Sequence, residues 1–294
     1  MMYDNNPNRV WAFTMWLACL LLIASNATAD EVGLTLFGWS DQHVKTNGDV
    51  SHLLAAIDAM NELRGTSFPK AVGGKVEAPV FVFGCGDVTE WPTNAAVRGY
   101  SKVITERLKL PCYDIMGNHD DGGKAPSDAM KKWIIDRHGG LSYTFDKAGV
   151  HFIGLFSQFD PNADSPAQPL TKKSLDVLRK ELAKTPAGKP IVVATHLCFD
   201  AITNRDELVD AFGDANVILM LGGHYHKATV HRYRGFNFVQ LPSPRDQTEV
   251  TVIRISPDRL VAIPYNHAKQ RWSENPRKIL DITIQGPARS ISNP

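Results

Sequence analysis

The sequence of 294 residues has little cysteine and almost no net charge. Its four cysteines are too few for a scaffold held together by disulfides. Lysine and arginine number 32 and aspartate and glutamate 31, whereas a general nucleic-acid-binding protein usually has a basic excess. Repeats and low-complexity segments are absent, and a hydrophobic fraction of 43% argues against disorder. The sequence therefore predicts a globular chain without a nucleic-acid-binding surface.

One apolar run, residues 11–24, lies near the N-terminus. It is too short to span a membrane comfortably, and the small residues Ala27-Thr28-Ala29 follow it as a cleavage signature. We interpret residues 1–29 as a secretory signal peptide, which predicts a secreted or periplasmic protein. The alternative is an uncleaved anchor, and the only membrane contact expected is through this segment.

Cleavage at this position would leave three cysteines, namely Cys85, Cys112 and Cys198. An odd number in an exported protein leaves at least one free thiol. Cys85 and Cys112 lie at the edges of apolar runs, where small core residues are common. A bridge between these two residues is the alternative.

Helical and strand-like patterns alternate along the mature chain. Apolar runs at 32–39, 79–83 and 112–116 predict strands, and periodic segments at 52–63, 93–108 and 127–137 predict helices. A hairpin then covers 143–156. The second half continues with a helix at 171–183, a strand at 191–194, a helix at 205–212 and a strand at 217–221. Four consecutive antiparallel strands are predicted at 229–233, 236–241, 250–255 and 260–265.

This order of elements predicts an α/β fold, in which two β-sheets form a sandwich with helices outside. We assign residues 30–266 to one catalytic domain and residues 267–294 to a C-terminal tail with a strand-like pattern at 279–284. Trp91 and Trp272 are expected to pack in the core, and the alternative is that they shape a rim of the site.

Polar clusters follow five of the predicted strands. They contain Asp41 and His43; Asp87; Asn118 and His119; His196; and His224 and His226. Loops at the carboxyl ends of sheet strands are where α/β proteins place their sites, so these side chains can converge although they are far apart in sequence.

The residue types in these clusters suit a pair of metal ions. Imidazole and carboxylate together favour Mn, Fe, Zn, Co or Ni as divalent ions. Glycines before Asp87, Asn118 and His224 let the backbone approach the ions closely. Each cluster alone is a weak signal, and any single histidine is more often structural. All five clusters in this order are specific.

The clusters resemble those of the calcineurin-like metallophosphoesterases, a family that includes purple acid phosphatases, protein phosphatases and cyclic-nucleotide phosphodiesterases. The resemblance extends over about residues 34–265. It implies a four-layer fold, in which helices flank a two-sheet β-sandwich, and a binuclear metal centre.

The resemblance also implies two sets of metal ligands that share one carboxylate. The first set is Asp41, His43, Asp87 and His226. The second set is Asp87, Asn118, His196 and His224. His119 is implied to be the catalytic histidine that protonates the leaving alkoxide, and Asn118 is implied to touch the phosphate as well as a metal ion.

Glu90 stands where the family has other residues. Purple acid phosphatases have an iron-binding tyrosine there, so this chain is not expected to hold a purple Fe(III) site. Protein phosphatases have an aspartate near this position that orients the catalytic histidine. We expect Glu90 to orient His119 in the same way.

These features predict metal-dependent hydrolysis of small-molecule phosphate esters. The signal peptide favours a phosphomonoesterase, because phosphate scavenging takes place outside the cytoplasm. Asp120 favours the alternative, a phosphodiesterase acting on cyclic nucleotides or other diesters, because Gly-Asn-His-Asp resembles the phosphodiesterase branch. A third possibility is a non-catalytic metal-binding scaffold, against which the complete ligand set argues.

Overall fold

Two β-sheets face each other in this chain, and α-helices cover their outer faces. The computed structural model describes residues 33–123 and 126–284. The expected signal peptide at 1–29 and the end of the tail at 285–294 lie outside the described residues.

The strands and helices follow one another in the predicted order. The strands are β1 (Leu34–Trp39), β2 (Pro79–Gly84), β3 (Cys112–Asp114), β4 (Tyr143–Lys147), β5 (Val150–Gly154), β6 (Ile191–Ala194), β7 (Val217–Gly222), β8 (Thr229–Tyr233), β9 (Phe236–Gln240), β10 (Glu249–Ile255), β11 (Arg259–Asn266), β12 (Arg271–Trp272) and β13 (Leu280–Thr283). The α-helices are α1 (Leu54–Glu62), α2 (Asn94–Glu106), α3 (Asp128–His138), α4 (Lys172–Lys184) and α5 (Arg205–Phe212).

Each sheet contains a block of parallel strands. The first sheet has the order β12-β11-β10-β1-β2-β3, with β13 also paired to β11, and β1, β2 and β3 run parallel. The second sheet has the order β4-β5-β6-β7-β9-β8, in which β5, β6, β7 and β9 run parallel. The carboxyl ends of these parallel strands carry the predicted polar clusters.

Three apolar cores separate four layers. Between the sheets, Phe81 and Phe83 of β2 meet Phe152 of β5, and the ring centroids of Phe81 and Phe152 are 5.1 Å apart. Val82 points the other way, to the core beneath α1, α2 and α3, because successive side chains of a strand alternate. The third core lies between the second sheet and helices α4 and α5. The expected two-sheet sandwich flanked by helices is confirmed.

Capping residues determine where several of the helices begin or end. Thr93 is the N-cap of α2, where its Oγ1 atom accepts a hydrogen bond from the main-chain nitrogen of Ala96 at 3.0 Å. Thr171 caps α4 in the same way. Gly139 is the C-cap residue that follows α3, and its φ of 81° suits a residue without a Cβ atom.

The four strands expected to form one antiparallel series divide between the sheets. β8 and β9 form a hairpin in the second sheet, where β9 also pairs in parallel with β7. β10 and β11 belong to the first sheet, so residues 241–248 cross from one sheet to the other. The prediction of four consecutive antiparallel strands in one series was wrong. The alternation of side chains identifies a strand, but it does not identify the strand with which it pairs.

The expected C-terminal tail contributes to the first sheet as far as it is described. β12 and β13 both pair with β11, and β13 coincides with the strand-like pattern at 279–284. Among the described residues, Cys85, Cys112 and Cys198 are free and buried, so Cys85 and Cys112 do not form a bridge. None of the helices in the described ranges has both the length and the apolarity of a membrane span.

Candidate metal centre

The predicted ligands meet at the carboxyl ends of parallel strands from both sheets. Three sets of three residues each offer donor atoms, and within each set these atoms all lie within 4.8 Å of one another. The first ligand group is Asp41, His43 and His226. The second ligand group is Asp87, His196 and His224. The third set, His43, Asp87 and His119, links the two groups.

The first ligand group joins the loop after β1 to the loop after β7. Nε2 of His226 lies 3.6 Å from Oδ1 of Asp41 and 3.2 Å from Nε2 of His43. Asp41 and His43 are buried, whereas His226 is partly exposed. This group therefore opens to solvent on the side of His226.

The second ligand group includes the side chain of Asn118. Nε2 of His196 lies 3.2 Å from Oδ2 of Asp87 and 3.1 Å from Oδ1 of Asn118. Nδ1 of His224 lies 3.0 Å from the same Asn118 oxygen. Oδ2 of Asp87 is also 3.9 Å from Nε2 of His43, so this carboxylate lies between the two groups.

Hydrogen bonds at the outer nitrogens orient the imidazole rings of the second group. Nδ1 of His196 lies 2.7 Å from the carbonyl oxygen of Cys85, and Nε2 of His224 lies 3.0 Å from that of Pro166. A carbonyl oxygen can only accept a hydrogen bond. In a neutral imidazole ring, the hydrogen is therefore on the nitrogen that faces the carbonyl. The other nitrogen of each ring then presents a lone pair to the site.

The donor atoms around Asn118 show whether these residues can bind a cation. Nε2 of His196 and Nδ1 of His224 are 3.2 Å apart, and both face Oδ1 of Asn118. With neutral rings, these three atoms and Oδ2 of Asp87 are lone-pair donors with no hydrogen between them. Such a set satisfies the ligand requirements of a borderline divalent ion. The residues present fit a metal centre.

The charges of the site also favour a bound cation. Burial lowers the pKa of His43 to about 3 and that of His224 to about 4, so both predicted ligands are neutral at neutral pH. Burial also opposes protonation of His196, but the carboxylate of Asp87 raises the pKa of His196 to about 9. The carboxylate of Asp87 therefore favours a positive charge at the second ligand group.

The ligand-bearing loops have unusual backbone conformations. Half of the ten non-glycine residues with positive φ in the described ranges are predicted ligands: Asp41, His43, Asp87, His224 and His226. Such residues are conformationally costly and cluster at functional sites. Main-chain hydrogen bonds of 2.9 Å hold two of these loops together, from Asp41 to Gly86 and from His43 to Asp87.

Two glycines allow the close approach that the sequence analysis expects. A Cβ atom on Gly117 would collide with the carboxylate of Asp87, and one on Gly223 would collide with the hydroxyl of Ser40. The Cβ atom on Gly223 would also come within 2.9 Å of Oδ2 of Asp41. Larger residues at these positions would displace the carboxylates.

Asp120 connects the loop that carries Asp87 to the loop that carries Asn118. Its buried carboxylate accepts hydrogen bonds from the main-chain nitrogens of Val88 at 3.0 Å, Thr89 at 2.8 Å and Gly117 at 3.0 Å. Burial raises the pKa of Asp120 to about 6. Asp120 therefore holds the loop of Asp87 against the loop of Asn118.

His119 lies beside both ligand groups and is held by a main-chain group. Its Nδ1 atom is 2.8 Å from the carbonyl oxygen of Glu90, and its own main-chain nitrogen donates to Oδ1 of Asp87 at 2.9 Å. The expected contact from the Glu90 carboxylate is replaced by one from the Glu90 main chain. The main-chain nitrogen of Glu90 donates a 2.9 Å hydrogen bond to the carbonyl oxygen of Val44, which helps to hold this residue beside the imidazole.

The two tryptophans differ from each other. Trp272 packs against Phe68 and Tyr265, with ring centroids 5.0 Å away in both cases, as expected. Trp91 was expected in the core, but it is 45% exposed and its ring lies 4.8 Å from that of His119. That expectation was wrong because an amphipathic indole is compatible with either environment.

Asp246 also contacts the candidate site, and it was not predicted from the sequence. Its carboxylate contacts Nδ1 of His226 and also accepts a hydrogen bond from Nε of Arg245 at 2.9 Å. It lies on the segment that crosses between the sheets. No motif identifies it, because the contact exists only when that crossing brings it to the loop after β7.

Comparison with known proteins adds sequence and fold evidence. No model of a known protein family matches the chain. The chain is 23% identical over 254 residues to a protein of Arcobacter nitrofigilis named "Probable glycerophosphodiester phosphodiesterase GpdQ". The alignment covers 80% of this chain and 87% of that protein. This relative is a phosphodiesterase by its name, in agreement with the metallophosphoesterase family and the phosphoesterase class predicted from the sequence.

The comparison with solved structures supports the fold through one alignment with a TM-score above 0.5. GAP50, described as the anchor in the inner membrane complex of Plasmodium, aligns with a TM-score of 0.60 and 14% identity. That alignment covers 87% of this chain and 90% of GAP50. Phosphopantetheinyl hydrolase (PptH) of Mycobacterium tuberculosis aligns with a TM-score of 0.43 and 14% identity, over 86% of this chain and 96% of PptH.

Proposed function

We propose that this metallophosphoesterase hydrolyses small phosphodiesters with two divalent metal ions. The observation that carries the proposal is the position of Asp87, whose Oδ2 atom lies 3.2 Å from His196 and 3.9 Å from His43. This position supports the proposal that one carboxylate is shared by two ions, and His119 lies beside it.

The diester alternative is preferred to the monoester for two reasons. The relative in Arcobacter nitrofigilis is named as a diesterase, and the match covers most of both chains. The Gly-Asn-His-Asp sequence at 117–120 also resembles the diesterase branch. Neither reason depends on the signal peptide, which favoured the monoesterase.

The ligand residues divide into two sets around Asp87. Asp41, His43 and His226 would hold one ion, and Asn118, His196 and His224 would hold the other. Mn, Fe, Zn, Co and Ni all suit this mixture of imidazole and oxygen donors. When bound, two such cations lower the pKa of a nearby water and neutralise the phosphate oxygens.

His119 is suited to protonate the departing alkoxide. Its Nδ1 hydrogen is donated to the carbonyl of Glu90, so Nε2 is the atom that exchanges a proton with substrate. General acid catalysis is typically worth about 10²–10⁴-fold, and alkyl esters need it most because alkoxides are poor leaving groups. The amide nitrogen of Asn118 can donate to a phosphate oxygen.

A pair of aryl esters tests this function. Protein depleted of metal and then supplied with Mn should hydrolyse bis(p-nitrophenyl) phosphate with a higher kcat/KM than p-nitrophenyl phosphate. Metal analysis should give two ions for each chain, and Asp87→Asn should bind less metal. A preference for the monoester would support the monoesterase. No hydrolysis of either ester by the metal-loaded protein would support a non-catalytic scaffold.

We also propose that the protein acts outside the cytoplasm, as a secreted or periplasmic enzyme. The basis is the apolar run at 11–24 followed by Ala27-Thr28-Ala29. N-terminal sequencing of exported protein should begin after Ala29. A chain that begins at Met1 and remains in the membrane fraction would instead support a retained anchor.

A further inference from the structure

Trp91 is a large apolar side chain that remains exposed in the folded chain, where most such side chains are buried. Among the described residues, the large apolar side chains with the greatest exposure are Trp91 at 45% and Ile135 at 44%. Ile135 lies on α3, and no predicted ligand belongs to that helix. Trp91 contributes to none of the three apolar cores, and it directly follows Glu90, whose carbonyl holds His119.

Neighbouring groups hold the indole ring in place. Its centroid lies 4.8 Å from that of His119, with the ring planes inclined at 35°. On another side, a Cβ atom on Gly123 would lie 3.4 Å from the six-membered ring of the indole, so the loop after Asp120 passes close by. A large aromatic surface is thus held in one orientation before any ligand arrives, which reduces the entropic cost of binding.

Other aromatic rings near the site occupy different positions. Phe159 lies 5.7 Å from His196, and Tyr225 lies 5.0 Å from His224. Both are next to the second ligand group, and both pack against the core beneath α4 and α5. Trp91 instead adjoins His119, the proposed proton donor. Because a proton donor must contact the leaving oxygen, Trp91 lies on the leaving-group side of the site.

We propose that Trp91 is a specificity-determining residue, which packs against an aromatic or apolar leaving group of the phosphodiester. The inference rests on the proposed function, since it uses His119 to define the leaving-group side. It names a substrate class, namely diesters whose leaving alcohol carries a ring or a comparable apolar surface. A contact between two aromatic rings changes affinity by about two- to tenfold.

Three methyl phosphodiesters distinguish this role from an effect through His119. Their leaving groups are p-nitrophenyl, 2,2,2-trifluoroethyl and benzyl, which become poorer leaving groups in that order. Only the first and last carry a ring. Trp91→Ala should lower kcat/KM about two- to tenfold for the two ring-bearing esters, mainly through KM, and change the trifluoroethyl ester by less than twofold. Trp91→Phe should restore most of the loss.

The alternative role gives a different order of effects. If Trp91 acted only by positioning His119, Trp91→Ala would harm the benzyl ester most, the trifluoroethyl ester next and the p-nitrophenyl ester least. That order, or an equal loss for all three esters, would overturn the proposal. Ile135→Ala is the matched control and should change none of the rates. An inactive metal-loaded wild-type protein would overturn the proposed function itself, and the leaving-group role with it.

Discussion

Asp246 contacts the Nδ1 atom of His226 from a segment 20 residues further along the chain. The other ring nitrogen of His226, Nε2, is directed towards Asp41 at 3.6 Å. A carboxylate at the outer nitrogen of a ligating histidine fixes the orientation of the ring and makes it a better electron donor. The crossing between the two sheets therefore supports the first ligand group.

Removing this carboxylate should weaken metal binding without unfolding the protein. We expect Asp246→Ala to reduce the affinity of one metal ion by about 10- to 100-fold, as measured by calorimetric titration of the metal-free protein. Asp200→Ala is the matched control, because Asp200 forms a similarly exposed pair with His231 at 3.1 Å. Unchanged affinity in Asp246→Ala would show that His226 does not depend on this contact.

Glu90 should tolerate replacement of its side chain. His119 is held by the main-chain carbonyl of Glu90, which remains in Glu90→Gln and Glu90→Ala. Both variants should keep kcat for an alkyl diester within about twofold of the wild-type value, as is usual for substitutions away from key contacts. A loss approaching that of a missing general acid would assign the orienting role to the carboxylate, as the sequence analysis expected.

Local sequence signals were sufficient for many elements of the fold. The predicted bounds of β6, α5 and β8 agree with the structure. Each has a strong pattern with a turn or a cap at its ends. The partners of β9 and β10 could not be predicted in this way, because pairing depends on which surfaces meet in the folded chain.

The candidate site was predictable where residue type carries the information. Six histidines and carboxylates that follow strands, together with Asn118, are the seven predicted ligands. The structure brings them together, and their roles as ligands remain predictions. The carbonyl of Glu90 carries no such signal, because every residue has one. The contact of Asp246 depends on the crossing between sheets, and the exposure of Trp91 depends on the loops that surround it.

His138 should make the stability of the protein depend on pH. Burial lowers the pKa of His138 to about 4, with the charge of Arg137 as a further cause, and its Nε2 atom accepts a hydrogen bond from the main-chain nitrogen of Asp114. Between about pH 4 and 6.5 the unfolded chain binds more protons than the folded one. The free energy of unfolding should therefore fall as the pH drops from about 6.5 to about 4.

The substitution His138→Gln isolates this contribution, because glutamine retains a hydrogen-bond acceptor and does not titrate. Urea unfolding of both metal-free proteins at a series of pH values should give curves that converge as the pH falls. The buried His43 and the partly buried His224 add the same dependence to both curves and cancel in the comparison. Parallel curves would mean that His138 does not titrate within this range.

The last prediction separates the roles of His119 and Asp87. His119→Ala should retain both metal ions, because His196, His224 and the first ligand group remain, yet lose about 10²–10⁴-fold in kcat for an alkyl diester. An aryl diester should lose less, since its leaving group needs little protonation. Asp87→Asn should lose metal and activity together, because its Oδ2 atom lies between the two ligand groups. Metal analysis and rates for both esters measure these effects. If His119→Ala released metal, or slowed both esters equally, His119 would be a ligand or a structural residue and the proton would come from elsewhere.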